Sequence, residues 1–311
     1  MPNTRAELQR RHAITARLVF VLTASLIPAA LIASLLVGYD YYSRERERLV
    51  RDSVATARAL AAALDMEFKG AKLALYALAS SPQLSSGDLA AFHGQAQAAL
   101  KEQALVSIML LDESGRSLLN TARRFGESLP AQGYPTQLQR IFQTGEPVVT
   151  DLFTGPVLQK PVLAIGVPVR RDGKTRYSLN GGVDPRSLST LLREQRLPEG
   201  WIAAIFDTQG TIVARTHEGE RFVGQKGSPE LVRRMQEARE DAIASRTLED
   251  IPVLTVFSRS AASGWTVAIG IPQRELTSHL WYSLARLFVA AFVALITALG
   301  LAVLLGRRLT R

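Results

Sequence analysis

An internal duplication constrains this chain more than any other feature. The stretch PVLAIGVPVRRDGKTRYSLNGGVDP, residues 161 to 185, returns in altered form as PVLTVFSRSAASGWTVAIGIP at 252 to 272. Each copy opens on Pro-Val-Leu, breaks at a polar turn (RRDGK or RSAASG) and resumes as a second apolar run. Apolar runs separated by such a turn read as two antiparallel strands. A second pair of segments repeats upstream: IMLLDESGRSLLNT (108 to 121) and AAIFDTQGTIVART (203 to 216), each an apolar strand, an Asp-x-x-Gly turn and another apolar strand. Asp112 and Asp207 lie 95 residues apart, and Pro161 and Pro252 lie 91 apart, so whole groups of strands repeat together. That period is too long for a solenoid. It reads as two small lobes in tandem, each an antiparallel sheet with helices, in the α/β (α+β) class.

The chain as a whole is unusually apolar. Hydrophobic residues make up 47% of it and the mean hydropathy is +0.08. Two segments account for this: no charge occurs from Leu18 to Tyr39 or from Leu287 to Gly306. Each is long enough, as a helix, to cross a hydrocarbon core of ~30 Å, and membrane spans are expected at 18 to 39 and 285 to 306. Arg5, Arg10, Arg11 and Arg17 precede the first, and Arg307, Arg308 and Arg311 follow the second. Arginine asymmetry of this kind puts both ends in the cytoplasm and the middle of the chain outside. Tyr39, Tyr41 and Tyr42 after the first span, with Trp281 and Tyr282 before the second, suit an aromatic belt on one membrane face. The first apolar run is longer than the core of a usual secretion signal and flows into more helix, which favours a span over a cleaved leader. Topology also accounts for the net charge of +9, since no basic stripe is interleaved with aromatics as a nucleic-acid partner would require. The absence of cysteine excludes disulfides, thiolate metal sites and cysteine nucleophiles.

Residues 44 to 80 contain no proline and a single glycine, Gly70. Within them Leu49, Ala57, Leu60, Leu64, Phe68, Leu75 and Leu78 recur at helical steps, which predicts one long amphipathic stalk helix. Pro82 and Gly87 close it, and Asp88 is placed to cap a second helix, LAAFHGQAQAALKEQ. Strands are then expected at 105 to 112, 116 to 123, 147 to 154, 161 to 170 and 175 to 184, with a short helix TQLQRIFQTG ending at Gly145. A connecting helix at 185 to 196 leads to the second lobe, Trp201 to Pro272, which contains a helix at 229 to 239. A short amphipathic piece leads into the second span.

Catalytic constellations are absent from the sequence. GERFVGQK (219 to 226) approaches a phosphate-binding loop but has Gln225 where glycine is needed and neither Ser nor Thr after Lys226. His12, His93, His217 and His279 fall in four separate segments without metal-helix spacing. No GxSxG or GxGxxG turn occurs, and DESG, DTQG and RRDG have ordinary hairpin-turn chemistry. The chain is therefore expected to bind rather than catalyse, with no cofactor and no metal.

Taken in order, a membrane span, a stalk helix, two tandem PAS-like lobes and a second span resemble a double Cache sensor region over residues 18 to 311. The residues that carry the likeness are the duplicated strand blocks, TDLFTGPVLQKPVLAIGVPV leading to LNGGVDP, and the closing GWTVAIGIPQREL. The resemblance implies a cytoplasmic N-terminus at 1 to 17, a stalk and second helix at 40 to 104, a membrane-distal lobe at 105 to 196 and a membrane-proximal lobe at 197 to 284. The final stretch, 307 to 311, is similar to the start of a HAMP linker. The resemblance also implies a homodimeric inner-membrane receptor, most like a sensor histidine kinase. Its outer lobe would bind a small molecule and act on a cytoplasmic output domain; chemoreceptors and diguanylate cyclases use the same region. The amino-acid-binding branch of the family carries Arg-x-Trp-Tyr, whereas LQRIFQTGEPVV here has Arg140 and no Trp-Tyr.

Alternation along a strand places Ser178, Asn180, Gly182 and Asp184 on one face. On the neighbouring strand Ala164 and Gly166 are small where Leu163, Ile165, Val167 and Val169 are bulky. Small and polar residues in mid-sheet leave room for a ligand. Asp184 is expected to accept a cationic or hydroxyl group, with Asn180 and Ser178 orienting the ligand and Asp151, Lys160 and Arg140 closing over it. The alternative for Asp184 is a cap on the helix that begins at Pro185. In the second lobe Thr266 stands for Ser178 and Ala268 for Asn180, so that lobe is expected to be filled. Two other classes compete with a sensor: a scaffold that binds a periplasmic protein, and an enzyme. A scaffold should expose an apolar patch, a sensor a concave polar pocket.

Overall fold

The computed structural model describes residues 3–100 and 105–274, with scattered positions from 289 to 300. The chain divides into two compact units, residues 1–50 with 273–311, and residues 51–272. In the first unit, helix α1 (Asn3–Ala79) begins and Arg44 pairs with Asp40 one turn away at 3.0 Å. Among the described residues, no helix is long and apolar enough to cross a membrane. The span expected at 285 to 306 and the amphipathic piece before it lie outside the described residues, save for those scattered positions. For the span expected at 18 to 39 the helical backbone is described but most side chains are not.

In the second unit α1 buries Ser53, Ala57, Leu60, Ala61, Leu64, Phe68, Leu75 and Leu78, the stripe set by steps of three and four. The helix stops before Pro82, whose ring disfavours helical backbone in the residue ahead of it. Ser81 then caps α2 (Pro82–Ser86), and Gly87, at φ 81°, ends it in the left-handed region. Asp88 accepts a hydrogen bond from the Ala91 amide at 3.0 Å at the start of α3 (Leu89–Leu100).

Two sheets follow, and the duplication read in the sequence is a duplication of topology. The first contains β1 (Leu105–Asp112), β2 (Ser117–Asn120), β3 (Val148–Val149), β4 (Phe153–Thr154), β5 (Pro161–Arg171) and β6 (Lys174–Val183). Its order is β2-β1-β6-β5-β3, with β4 also on β5. Helix α5 (Pro185–Glu194) leads to the second sheet: β7 (Ile202–Phe206), β8 (Ile212–Arg215), β9 (Glu240–Arg246), β10 (Pro252–Arg259) and β11 (Thr266–Pro272), in the order β8-β7-β11-β10-β9. Each sheet starts with the same Asp-x-x-Gly device. Asp112 Oδ1 accepts from the amides of Ser114 and Arg116 at 3.0 Å each. Asp207 Oδ1 accepts from those of Gln209 and Thr211 at 2.9 and 2.8 Å. The glycine that completes each turn has positive φ, 80° at Gly115 and 73° at Gly210. Both hairpins also shift register at the same place, Leu110/Leu111 and Ile205/Phe206.

Several expected elements differ in extent; the strand expected at 175 to 184, for one, is Lys174–Val183. The strand expected to run to 123 ends at Asn120, because the Ile108 amide is taken by the Thr121 hydroxyl at 2.8 Å rather than by a ladder partner. The strand expected at 147 to 154 is two short pieces, β3 and β4. Between them the Thr150 hydroxyl accepts the Ala164 amide at 2.9 Å and Asp151 leaves the sheet. The helices expected to reach 196 and 239 end at Glu194 and Glu237. Strand β9, EDAIASR, was not anticipated; it is a polar edge strand, mostly half-buried, without clear apolar alternation. It is preceded by α6 (Gly219–Phe222) and α7 (Pro229–Glu237).

Three contacts fasten α1 to the second sheet. Arg58 forks onto Glu240 through Nε at 2.8 Å and Nη2 at 2.6 Å. Asp65 accepts from the hydroxyls of Ser260 and Ser263. Phe68 meets the fully buried Trp265 edge to face at 5.2 Å. The hydrogen bond and charge of Arg58, helped by the Ser258 hydroxyl, hold the Glu240 carboxyl down from 4.5 to about 2. A carboxylate with a depressed folded-state pKa contributes stability above its unfolded pKa and loses it as pH falls through the folded value. The Glu240 contribution is therefore complete above about pH 4.5 and disappears toward pH 2. Glu240→Gln is expected to flatten the acid limb of stability in that window. Urea unfolding as a function of pH checks this, and an unchanged acid limb would show that the pair contributes nothing.

Candidate functional site

The centre of the first sheet is set by register. Asn180 on β6 lies opposite Met109 on one side and Gly166 on the other. Ser178 lies opposite Leu111 and Pro168, and Gly182 opposite Ser107 and Ala164. A cover crosses this face, formed by a 3-10 turn (Thr136–Gln139) and α4 (Arg140–Thr144), which ends at Gly145 with φ 69°. Leu138 and Ile141 from the cover join Met109, Leu111 and Ala164 in a buried cluster, with Tyr134, Val148 and Phe153 packed against it.

Asn180 is fully buried. Its Nδ2 donates to the Ser178 carbonyl at 2.9 Å and to the Ser178 hydroxyl at 3.0 Å, but its Oδ1 has no partner. The Tyr134 hydroxyl, on the segment leading into the cover, is likewise buried without a partner. Each such orphan costs about 1–3 kcal/mol relative to a satisfied group. Tyr134, with Leu111, Ser114, Gly115, Leu138 and Phe142, lines a cavity of ≈ 190 Å³, which Asn180 does not line. The room expected over Gly166 is occupied. A Cβ there would come within 2.3 Å of Asn180 Oδ1 and 2.5 Å of Ile141 Cδ1, so only glycine fits beneath the cover in this closed arrangement.

The other residues singled out in the sequence are dispersed. Strand β6 ends at Val183, so Asp184 leaves the sheet. Its Oδ1 accepts the Arg186 amide at 2.8 Å and caps α5, the alternative role read from Asp-Pro. It also lines, with Lys160, Arg186, Arg193 and Arg215, a separate cavity of ≈ 540 Å³ to which both lobes contribute. Lys160 is exposed there, and Arg140 is exposed on α4. Asp151 joins the lobes. Its Oδ1 accepts the Thr208 amide at 2.9 Å and the Thr208 hydroxyl at 2.7 Å, while its Oδ2 accepts Gln137 Nε2 at 2.9 Å. Gln137 Oε1 accepts the Asp151 amide in return, at 3.0 Å. Asp207 Oδ2 accepts the Leu152 amide at 3.2 Å. Burial, with the nearby Asp151 charge, pushes the Asp207 carboxyl above its ordinary pKa, against the pull of the amides that bond it.

In the second sheet Ala268 and Ala204 hold the places of Asn180 and Met109. This lobe, expected to be filled, contains a cavity of ≈ 60 Å³ lined by Ala204, Ala268, Gly270 and Leu231, because the small side chains on the sheet do not fill the space beneath α7. Tyr134 and Gln137 were missed in the sequence. The available signal for Tyr134 was an aromatic within the turn-rich GYP of a long inter-strand connection; Gln137 carried none.

No protein-family profile and no curated protein matches the chain. Solved structures do. The extracellular domain of rpHK1S-Z16, assigned as a histidine kinase, is 13% identical over 76% of this chain and 98% of that one, with a TM-score of 0.58. The ligand-binding domain of the Pseudomonas fluorescens chemoreceptor CtaA, in complex with L-isoleucine, has the same identity, coverage and score. That of the Pseudomonas aeruginosa amino acid chemoreceptor PctB, with L-Arg, is 17% identical over 75% of this chain and 98% of that one, with a TM-score of 0.55. The chain therefore has the fold of these ligand-binding domains, in agreement with the double Cache resemblance. Gly166→Ala is expected to lower stability by about 1–3 kcal/mol through overpacking. An unchanged urea midpoint would mean that the cover does not press on the sheet.

Proposed function

We propose that this chain is the sensor region of a membrane receptor, and that its first lobe binds a small molecule between the central strands and the cover. One observation carries the reading: Asn180 Oδ1 and the Tyr134 hydroxyl are buried without partners around one cluster, beneath a short helical segment. Buried polar atoms are paired as a rule; Gln83 Oε1 and Trp265 Nε1 are also without partners but stand apart from this cluster. A ligand with a hydrogen-bond donor, such as an ammonium or hydroxyl group, would satisfy Asn180, with Ser178 orienting the amide. Asp184 and Lys160 would act from the cavity between the lobes, Asp151 through its bonds to Gln137 and Thr208, and Arg140 from the outer side of the cover. Binding without turnover, and without cofactor or metal, follows from the missing catalytic motifs. Two structures of this fold are complexes with L-isoleucine and L-Arg, which makes L-amino acids the first panel to test.

The test is thermal unfolding of the full chain in detergent against L-amino acids and polyols. Ligand should raise the melting temperature of the wild type. Asn180→Leu combined with Tyr134→Phe should remove that shift while leaving the unliganded melting temperature unchanged or raised, because two orphans disappear. A full shift in the double variant would overturn the site. Asp184→Asn separates two roles: a lost shift assigns it to the ligand, and a retained shift with lower intrinsic stability assigns it to the cap.

The same reading takes the chain across the inner membrane at 18 to 39 and 285 to 306, with the lobes outside, on the strength of the uncharged runs and flanking arginines. An output domain, of a histidine kinase or of a chemoreceptor, would follow in the cytoplasm. Assembly is proposed as a homodimer along α1. Opposite its buried stripe, Ala55, Ala59, Ala62, Met66 and Leu73 are exposed at steps of three, four and seven, the spacing of a coiled-coil seam. Cysteine at Ala62 or Met66 is expected to crosslink between protomers, whereas cysteine at the buried Leu64 should not. Equal silence at all three would exclude this seam.

A further inference from the structure

The second lobe has a cavity of its own, at the place in its sheet that Asn180 and Gly182 occupy in the first. Its floor is Ala204, Ala268 and Gly270. In register, Ala268 faces Ala204 as Asn180 faces Met109, and Gly270 follows two residues on as Gly182 does. On the cavity wall the buried hydroxyls of Ser245 and Thr255 lie 2.7 Å apart. Each hydroxyl has one proton, and a single bond between them uses one. The other O–H remains to be donated. Arg215, only 4% exposed, also lines the cavity, stacked with its Cζ 4.3 Å from the centre of the Phe222 ring. It gives two of its five N–H groups to Glu249, at 2.6 and 2.8 Å. Among the described residues the other three have no hydrogen bond. The lining is thus apolar beneath and rich in donors at the side.

We propose that this cavity binds a short-chain monocarboxylate. An anionic head suits the spare hydroxyl and guanidinium protons, since arginine and carboxylate form strong charge-assisted pairs. A short alkyl tail suits Ala204, Ala268 and Leu231. Size limits the tail: a water needs about 10–15 Å³ of such space, so ≈ 60 Å³ accommodates about four to six atoms of that size. Acetate and propionate fit, and an aromatic acid does not. Glu249 stands on the hairpin connecting β9 to β10, where the Thr247 amide donates to the Ile251 carbonyl at 2.9 Å. Its carboxylate is already on Arg215 and competes with the ligand's. This site is independent of the one proposed in the first lobe.

The probe is sodium propionate, titrated against the full chain in detergent with sodium chloride at matched ionic strength as reference and thermal unfolding as readout. Propionate should raise the melting temperature progressively, as a ligand of the folded state does, and benzoate should not. Glu249→Gln removes the internal competitor and should move the response to several-fold lower propionate. Ala268→Leu fills the cavity and should abolish the response. Should that variant fold poorly, Ser245→Ala with Thr255→Val should weaken the response several-fold instead. Asn180→Leu with Tyr134→Phe should leave it intact, which separates this site from the first lobe's. Absence of a propionate effect in both wild type and Glu249→Gln overturns the proposal, as does full retention in Ala268→Leu or in the hydroxyl double variant.

Discussion

The carboxylate of Asp151 is the constraint on which the joint arrangement of the two lobes depends. It accepts from Thr208 of the second lobe and from Gln137 of the cover over the first, and the Asp207 carboxylate answers by accepting the Leu152 amide. Gln137 and Thr208 therefore share one acceptor group. The Thr208 hydroxyl lies within reach of both carboxylate oxygens, at 2.7 and 2.9 Å, so the second lobe and the cover meet on the same Oδ2. The break in the strand expected at 147 to 154 has the same origin. A continuous strand would have kept Asp151 in the ladder, and instead Thr150 takes over the Ala164 amide and frees the chain to turn outward.

Duplication supplied two equal frameworks that were then filled differently. Both keep the strand order, the Asp-capped turn, the positive-φ glycine and the register shift after it. These are backbone requirements, and an exchange of side chains elsewhere does not touch them. The turn aspartates have nonetheless diverged. At Asp112 burial pushes upward but the bonds from Ser114 and Arg116 together outweigh it and hold the carboxyl below its ordinary pKa, whereas at Asp207 burial prevails and holds it above. One copy of the motif only closes a hairpin, and the other also docks a lobe.

Much of this fold was legible because its determinants are local or periodic. The α1 stripe, the paired strands at 161–171 and 174–183, and the Asp88 and Asp184 caps all follow from spacing or from one residue and its neighbour. Strand β9 was not legible, since an edge strand with half-buried polar residues loses the alternation that marks a strand. The site was legible in part. Alternation brought Ser178 and Asn180 together but carried Asp184 along with them, because nothing in the alternation says that β6 stops at Val183. Tyr134 and Gln137 come from a segment whose position over the sheet is a tertiary fact, so periodicity could not assign them.

The polar groups buried in the two sheets divide by whether the protein completes them. Arg215 has Glu249 and the Phe222 ring, and Ser245 has Thr255, so each of these buried groups in the second lobe has a partner from the protein. Asn180 has only Ser178 for its amide nitrogen and nothing for its oxygen, although an apolar residue of similar size would remove the deficit. Retaining such a group in a core costs stability, and under the proposed function the return would be that a molecule supplying the missing donor is held by that oxygen. Gly166 lets Asn180 Oδ1 and Ile141 occupy the same narrow space, so the cover and the unsatisfied oxygen lie within one contact of each other. Under the proposed function, a group that reached the oxygen would also have to displace or engage Ile141, on the same cover whose Gln137 donates to Asp151, the acceptor of Thr208 in the second lobe.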